Sequence, residues 1–433
     1  MVLMNINQAT TATAPTAKIW QFRPGLNIVG FTFAMQFVAM GSAYYAFGVY
    51  LLYLPEALNS DVFYVSLAMT LQTVMMGLLS PTIGRALAHR SLRGLLLTGC
   101  ALMSSGFWLL SWASSVWHLY VAFGLLVSTG MVMIGTLPSN TLIANWFEKN
   151  RGTAMGISQF GLTISGAVLV PLTTWLVLEQ GLAFTFRAYA IAIPLLLVPL
   201  IFKFAIKTPE DVGLRPDGAV LVAGDSMGSA SAADEPWTVQ RAFNDRNVWL
   251  LTLTIGPCFF GIATILLTLP SYGTGIGLLD MQAAGVVSFA TLTGAIAKPL
   301  FGTLTDYFSS KRVVACSICL QALAIVLLLS ADNYFWLAAS GLCFGLGYGG
   351  MATLWAVLIG ELFGRMSFSQ VMGAMSPMIM PFNLLGLPIA TFVLQNTGSY
   401  APAYAALLIG YTVAFVALWK LPVGSAAEVA RAG

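Results

Sequence analysis

Lys298 is the residue whose chemistry fits its surroundings least. It stands in "TGAIAKPLFGTLTDYF", residues 293–308, directly before Pro299 and inside an apolar run. A charged side chain at the centre of a helix in lipid costs at least about 2.5–3.5 kcal/mol on insertion scales. The nearest acid in the same segment is Asp306, which lies about 12 Å farther along a helix axis. The sequence therefore shows no carboxylate partner for this ammonium group.

The neighbours of Lys298 on a helical wheel predict what stabilises it. Its own face is small and polar, with Ser288, Thr291, Ala295 and Gly302. Bulky apolar residues point elsewhere, namely Phe289, Leu292, Ile296 and Leu300. A small polar face is typical of a helix beside an aqueous cavity, so we predict that Lys298 binds an anion there. Two alternatives remain: backbone carbonyls and water satisfy the charge, or the side chain snorkels to the headgroups.

The composition shows which solvent surrounds these residues. Of 433 residues, 58% are hydrophobic and 8% are charged, against about 25% charged in soluble domains. The apolar runs are continuous and about 20 residues or longer, which indicates membrane-spanning helices and not barrel strands. We predict an all-α membrane protein with twelve transmembrane helices, centred on residues 25–53, 62–84, 93–113, 117–142, 153–177, 184–205, 247–270, 281–305, 313–331, 335–360, 370–394 and 400–420.

A polar, Pro- and Gly-rich stretch separates two sets of six spans and predicts a linker. The predicted segments are a disordered cytoplasmic tail 1–17, a six-helix bundle 18–206, a cytoplasmic linker 207–246, a second bundle 247–421 and a cytoplasmic tail 422–433. Of the 19 Lys and Arg residues, Lys298 lies in a span, Arg187 falls on one side, and the other 17 fall on the opposite side. This asymmetry predicts that both termini and the linker are cytoplasmic.

The two bundles repeat each other. "PTIGRALAHRSLR" and "PLFGTLTDYFSSKR" each follow the second span of their half and align Gly84 with Gly302, an offset of 302 − 84 = 218. "TAMGIS" and "QVMGAM" align Gly156 with Gly373, an offset of 373 − 156 = 217. Two matches at one spacing indicate a duplicated six-helix unit, and such folds place substrate at the midplane between the repeats.

These two loops resemble the glycine-, acid- and base-containing signature of the major facilitator superfamily. The resemblance covers essentially the whole chain and implies that fold, with gating residues Gly84, Arg85, Arg93, Gly302, Asp306 and Arg312. The first copy departs from the signature, since Ala88 occupies the usual acidic position and His89 the next. If the acid locks the outward-open state, the resemblance implies a weakened lock in the first half, with Asp306 as the remaining copy.

Three further stretches resemble the monocarboxylate-porter and oxalate/formate-antiporter branches of this superfamily. They are "YYAFGVYLLYLPEAL", "NTLIANWFEKNRGTAMGISQFG" and "TPEDVGLRPDG". In these branches a base before a proline in helix 8 binds the carboxylate, and Lys298 matches that position. The chain departs in having lysine where porters usually have arginine, and Gly294 where they have aspartate. The absence of a second base from helix 11 argues against a dicarboxylate site.

Further polar residues are candidates for contacting the substrate. Tyr348, Tyr45, Asn140, Gln159, Asn383 and Thr291 complete the predicted binding set with Lys298. The alternative role of the two tyrosines is ordinary packing. The alternative role of the amides in helices 4 and 5 is to bridge helices. Thr163 follows Gln159 by one turn of helix 5. Phe47, Phe259, Tyr272 and Trp355 are expected along the pathway, which favours small or flat acids over sugars.

The function predicted from these features is secondary transport. We expect alternating-access movement of small organic monocarboxylates across a bacterial inner membrane, by proton symport first, anion exchange second, and export of hydrophobic compounds third. The sequence has no GxxxxGK[ST] loop, nucleophile–base pair or metal cluster, so no enzyme activity, cofactor or metal is expected. The expected partners are a small carboxylate, protons or a counter-anion, and membrane lipids, without nucleic acid, around a monomer.

Overall fold

A computed structural model describes residues 23–218 and 237–423 of the chain. The predicted tail 1–17, the middle of the predicted linker and most of the tail 422–433 lie outside these residues. Within the described ranges every regular element is helical, and ten helices are long and apolar enough to cross a membrane. Two of the ten change direction at a glycine with positive φ, Gly181 at 81° and Gly364 at 70°, which gives twelve helices.

We number these helices α1 to α12 in chain order. They are α1 Gly25–Ala57, α2 Val62–His89, α3 Leu92–Leu110, α4 Val116–Trp146, α5 and α6 (151–180 and 182–204, the two arms of Arg151–Phe204), α7 Arg246–Gly275, α8 Asp280–Tyr307, α9 Ser310–Leu329, α10 and α11 (334–363 and 365–397, the two arms of Tyr334–Thr397), and α12 Ala401–Lys420. A short helix, Val239–Asn244, precedes α7.

The predicted all-α fold of twelve helices in two six-helix bundles is confirmed, but two connections differ from the prediction. The expected spans leave loops between 177 and 184 and between 360 and 370. In the structure α5 joins α6 through Gly181 alone, and α10 joins α11 through Gly364 alone. A residue without a Cβ tolerates positive φ, so one glycine is enough to reverse each chain direction.

The division of α8 into two faces agrees with the sequence pattern. Leu292 and Ile296 are 61% and 53% exposed, whereas Lys298 is 6% exposed. In a membrane protein the exposed apolar side chains face lipid. The polar face of α8 is therefore turned into the protein, where Lys298 cannot snorkel to lipid headgroups.

Close helix crossings hold the two halves together at one end of the molecule. We call this the basic end, because it holds the basic loops after α2 and α8. At the first crossing α5 packs on α8, and a Cβ added at Gly302 would overlap the Gly152 carbonyl oxygen. A Cβ at Gly156 would lie 2.6 Å from the Lys298 carbonyl oxygen. Only glycines permit this backbone approach.

The second crossing is the repeat-related copy of the first and joins α2 to α11. A Cβ at Gly84 would overlap the Ser369 carbonyl oxygen, and one at Gly373 would lie 2.5 Å from the Ser80 carbonyl oxygen. Gly84 and Gly373 are the repeat partners of Gly302 and Gly156. The internal repeat read from the sequence thus appears in the structure as two equivalent contacts between the halves.

Candidate functional site

Lys298 lies at the contact between the two halves. Its Nζ donates a hydrogen bond to Thr163 Oγ1 on α5, and the backbone of Gly156 packs against its carbonyl group. Among the described residues no carboxylate forms an ion pair with Lys298. The ammonium group is therefore buried, directed to the other half, and held by a neutral hydroxyl.

Tyrosine hydroxyls surround this pair. Tyr45 ends the π-helical turn Met40–Tyr45 of α1, and its hydroxyl hydrogen-bonds Thr163 and lies near Tyr348. A π turn adds one residue to a helical turn, so it changes the direction in which Tyr45 projects. Tyr44 stays 41% exposed. Of these adjacent tyrosines, the structure places the predicted one beside the lysine's partner.

The Tyr348 ring packs against Gly294 of α8. A Cβ at Gly294 would lie 2.6 Å from the Tyr348 hydroxyl oxygen, so a larger side chain there would require the Tyr348 ring to move. The hydroxyl of Tyr348 also hydrogen-bonds Thr291 on α8. The structure thus brings together four predicted or noted residues of α1, α5, α8 and α10 around Lys298.

The amides of α4 and α5 bridge helices instead of reaching Lys298. Gln159 Nε2 donates to the Ala352 carbonyl oxygen of α10 at 3.3 Å and to Asn140 Oδ1 at 3.5 Å. Asn140 Nδ2 lies 4.0 Å from Met372 Sδ of α11. Gln159 precedes Thr163 by one turn of α5, so this layer lies just below the lysine, toward the basic end.

Asn383 is not brought to the lysine. Its Nδ2 donates to the Ile379 carbonyl oxygen of its own helix at 3.5 Å, and its side chain is exposed. This contact is an ordinary bond between a side chain and the preceding turn. The position of Asn383 therefore supplies no contact to the cluster around Lys298.

Two of the aromatic residues expected along the pathway pack inside their own half. Phe47 is 4% exposed and its ring centre lies 4.9 Å from that of Phe123. Tyr272 donates to the Leu328 carbonyl oxygen at 3.1 Å. These contacts stabilise each bundle. Because each residue lies in a continuous apolar run, the sequence alone could not show whether it packs within its bundle or lines a pathway.

Some polar atoms near the contact between the halves have no protein partner among the described residues. They are Gln36 Oε1 of α1, Ser139 Oγ of α4, and Thr353 Oγ1 and Trp355 Nε1 of α10. Phe259 packs edge-on against the Trp355 ring at 5.8 Å. Buried polar groups normally find partners, so these atoms mark a layer that can bind water or a polar ligand. No pattern in the sequence indicated Gln36, whose Nε2 donates to Ser158 Oγ at 2.7 Å.

Asp306, a predicted gating residue, clasps the start of α5 from the other half. Its carboxylate accepts hydrogen bonds from the backbone N–H of Gly152 and of Thr153, both at 2.9 Å, and from Thr153 Oγ1 at 2.6 Å. Free N–H groups and the helix dipole make such an end attractive to an anion. The contact therefore favours a closed basic end.

The other predicted gating residues have different surroundings. Gly84 and Gly302 lie in the two crossings, while the Arg85 and Arg312 side chains are exposed near them. Arg93 Nε donates to the Ala205 carbonyl oxygen after α6 at 3.2 Å. Arg93 thus braces its own half and does not span the crossing.

The chemistry available around Lys298 is binding chemistry. One buried cation is flanked by neutral hydroxyl and amide groups, and no group of metal ligands occurs among the described residues. A lysine ammonium donates up to three hydrogen bonds, of which Thr163 accepts one. The remaining donor capacity suits a small anion.

Known proteins share the sequence pattern and the fold. A profile of the Major Facilitator Superfamily matches residues 32–297 and 280–432. Monocarboxylate transporter 12 of Rattus norvegicus is 25% identical over 342 residues, covering 74% of this chain and 69% of that protein. The uncharacterized transporter ESBP6 of Saccharomyces cerevisiae is 28% identical over 56% of this chain, which spans only 35% of the yeast protein.

Solved structures with little sequence identity have the same fold. The superfamily transporter FucP in the outward conformation gives a TM-score of 0.69 at 13% identity, covering 90% of this chain and 98% of that one. The human organic anion transporter MFSD10 gives 0.67 at 14% identity, covering 92% and 99%. Because the superfamily profile spans nearly all of the described helices, this multi-pass membrane protein belongs to the Major Facilitator Superfamily, a family of transporters and not of enzymes.

Proposed function

We propose that the protein carries small organic monocarboxylates by alternating access, with Lys298 binding the carboxylate. The observation that carries this proposal is the buried ammonium group at the contact of the two halves, bonded to Thr163 and to no described carboxylate. A carboxylate arriving there gains a charge-assisted hydrogen bond in a site of low dielectric. The similarity to monocarboxylate transporters supports the same substrate class.

The charge distribution supports a direction for the molecule in the membrane. The basic end holds nearly all Lys and Arg residues outside the spans, so we place it on the cytoplasmic side of the membrane. We propose that this membrane is a bacterial inner membrane. The two crossings close that end in this arrangement. Release into the cytoplasm then requires both crossings to open.

Coupling to protons and exchange for another anion remain competing schemes. Proton symport follows from the resemblance to porters. Anion exchange is favoured by Gly294, which has no acidic side chain to carry a proton at the position where the resemblance to porters implies an aspartate. Uptake with a pH gradient, and with vesicles preloaded with a second acid, separates the two schemes.

The test is uptake of labelled acids by proteoliposomes containing the full-length protein. The panel includes lactate, pyruvate and aromatic carboxylates, and the variants are Lys298→Gln and Lys298→Arg. Removing a hydrogen bond to a charged group costs about 1.5–3 kcal/mol, so Lys298→Gln should lower uptake about tenfold or more. Lys298→Arg keeps the charge and should retain more uptake than Lys298→Gln.

The matched control is Lys203→Gln, which removes an exposed lysine near the end of α6. It should leave uptake unchanged. Wild-type rates in Lys298→Gln, or a panel without any transported monocarboxylate, would contradict the proposed function.

A further inference from the structure

The segment that follows α6 is fastened to the first half at several points. We call residues 205–217 the strap. Trp146 Nε1 donates to the Ile206 carbonyl oxygen at 3.0 Å, and Asn145 Nδ2 donates to the Lys207 carbonyl oxygen at 3.1 Å. Lys207 Nζ in turn donates to the Ala88 carbonyl oxygen at the end of α2, at 2.6 Å. The start of the strap is therefore part of the first half.

Asp217 fastens the other end of the strap to the same half. Its carboxylate accepts from the backbone N–H groups of Glu148, Lys149 and Asn150, at 3.1, 2.9 and 3.4 Å. These three N–H groups belong to the loop between α4 and α5. A carboxylate that accepts several backbone N–H bonds is strongly held, so both ends of the strap are fixed on the first half.

Between these two anchors the strap reaches the second half. Glu210 Oε1 pairs with Arg365 Nη1 at 2.7 Å. Arg365 is the first residue of α11 and directly follows the joint at Gly364. Thr208 and Asp211 form a capping box around the short turn Pro209–Val212, which fixes the backbone that carries Glu210. An ion pair whose partner is already positioned loses less side-chain entropy on forming than one between two free chains.

The ion pair between Glu210 and Arg365 lies beside the α2/α11 crossing, where α2 has no acidic residue. Ala88 takes the place that Asp306 has in the second half, and α2 therefore offers no carboxylate to α11. Arg151 lies close enough to Arg365 for their positive charges to repel each other. Without Glu210, less negative charge would offset this repulsion.

We propose that Glu210 of the strap and Arg365 are gating residues, which supply across the α2/α11 crossing the acidic contact that α2 itself does not provide. When the basic end closes, Glu210 holds α11 to the first half; when it opens, the pair breaks. This inference concerns the closing of the basic end and does not depend on which substrate is carried.

The test measures opening of the basic end without substrate. Full-length protein in nanodiscs carries one reporter cysteine in a background whose five native cysteines are replaced by alanine. The reporters are Ser369→Cys, at the α2/α11 crossing, and Thr305→Cys, at the α5/α8 crossing, whose native residues are 3% and 6% exposed. The rate of labelling by a membrane-impermeant maleimide reports how often each crossing opens.

Glu210→Gln and Arg365→Gln should each raise labelling of both reporters roughly two- to fivefold, the range for partly exposed ion pairs. The double variant should not exceed the larger of the single variants, because the same contact is lost in each. Glu179→Gln, which removes an exposed acid at the far end of α5, is the matched control and should change neither rate.

Unchanged labelling in both single variants would overturn the proposal. So would a rise confined to the Ser369→Cys reporter, which would show local loosening of α11, and so would additive effects in the double variant. Wild-type carboxylate uptake has no bearing on these outcomes, so the ion pair and the proposed function fail separately.

Discussion

The two crossings at the basic end share their backbone geometry and differ in their polar contacts. At α5/α8, Asp306 accepts three hydrogen bonds from the start of α5. At α2/α11, Ala88 replaces the acid, and the adjacent His89 Nε2 lies 3.2 Å from Gln370 Nε2. Glycine permits close approach of the backbones at both crossings, so the duplicated unit provides the same contact surface twice. Only the α5/α8 crossing adds hydrogen bonds between a carboxylate and the start of the facing helix.

The point at which each helix begins explains this difference. α5 begins at Arg151, so the N–H groups of Gly152 and Thr153 lie in its first turn and have no partner within the helix. α11 begins at residue 365. Its contact with α2 at Ser369 therefore lies about one turn farther from the start of the helix than the contact of α5 with α8 at Gly152. The N–H groups of Ser369 and Gln370 are then engaged with carbonyls four residues earlier. A carboxylate on α2 would therefore find no free N–H group of α11 from which to accept a hydrogen bond.

The largest expected effect breaks the feature that the crossings share. Gly302→Ala and Gly84→Ala each introduce a Cβ that overlaps a backbone carbonyl oxygen of the facing helix. Overpacking of this kind costs about 1–3 kcal/mol. Each variant should raise labelling of the reporter at the other crossing about 5- to 100-fold.

The control for these glycines is Gly48→Ala, since a Cβ at Gly48 meets nothing within 4 Å. It should leave both labelling rates unchanged. Clearly unequal effects of Gly302→Ala and Gly84→Ala would show that the crossings are not mechanically equivalent.

A smaller effect should separate the two crossings. Asp306→Asn removes the charge that faces the α5 N-terminus, at a cost of about 1–2 kcal/mol. Labelling of the Ser369→Cys reporter should therefore rise roughly 5- to 30-fold. His89→Gln, which alters the polar contact with Gln370 at the other crossing, should change labelling of the Thr305→Cys reporter less than about twofold. Equal effects of the two substitutions would contradict the asymmetry.

The smallest effect is expected from restoring the acid to α2. Ala88→Asp should change labelling of either reporter by less than about twofold, because α11 offers no free N–H group beside it. Recovery of the closed basic end when Ala88→Asp is added to Asp306→Asn would refute the explanation from helix starts.

The sequence predicted those features that follow from local pattern. The polar face of α8, the repeat offsets and the departure at Ala88 were readable because each depends on residue types at fixed spacing. The lysine's partner was not readable, since Thr163 lies 135 residues away in sequence and reaches Lys298 only after the halves pack. Asn383 shows the converse, because an amide in an apolar span can simply bond its own helix.

The strap was missed for a related reason. It opens the Pro-, Gly- and Asp-rich stretch that predicts a linker, and composition does not show that Asp217 accepts three N–H bonds from another loop. The joint at Gly364 was also missed. Apolar periodicity ends gradually near a reversal, and a single glycine with positive φ leaves little trace between two apolar runs.

The joint at Gly364 limits where a substrate can leave the protein. One residue between two helices allows their ends to separate by at most about 7 Å, so α10 and α11 cannot part widely at the basic end. The joint at Gly181 restrains α5 and α6 in the same way at the opposite end. Each half therefore has one corner at which two neighbouring helices cannot separate far enough for a substrate to escape sideways into the bilayer.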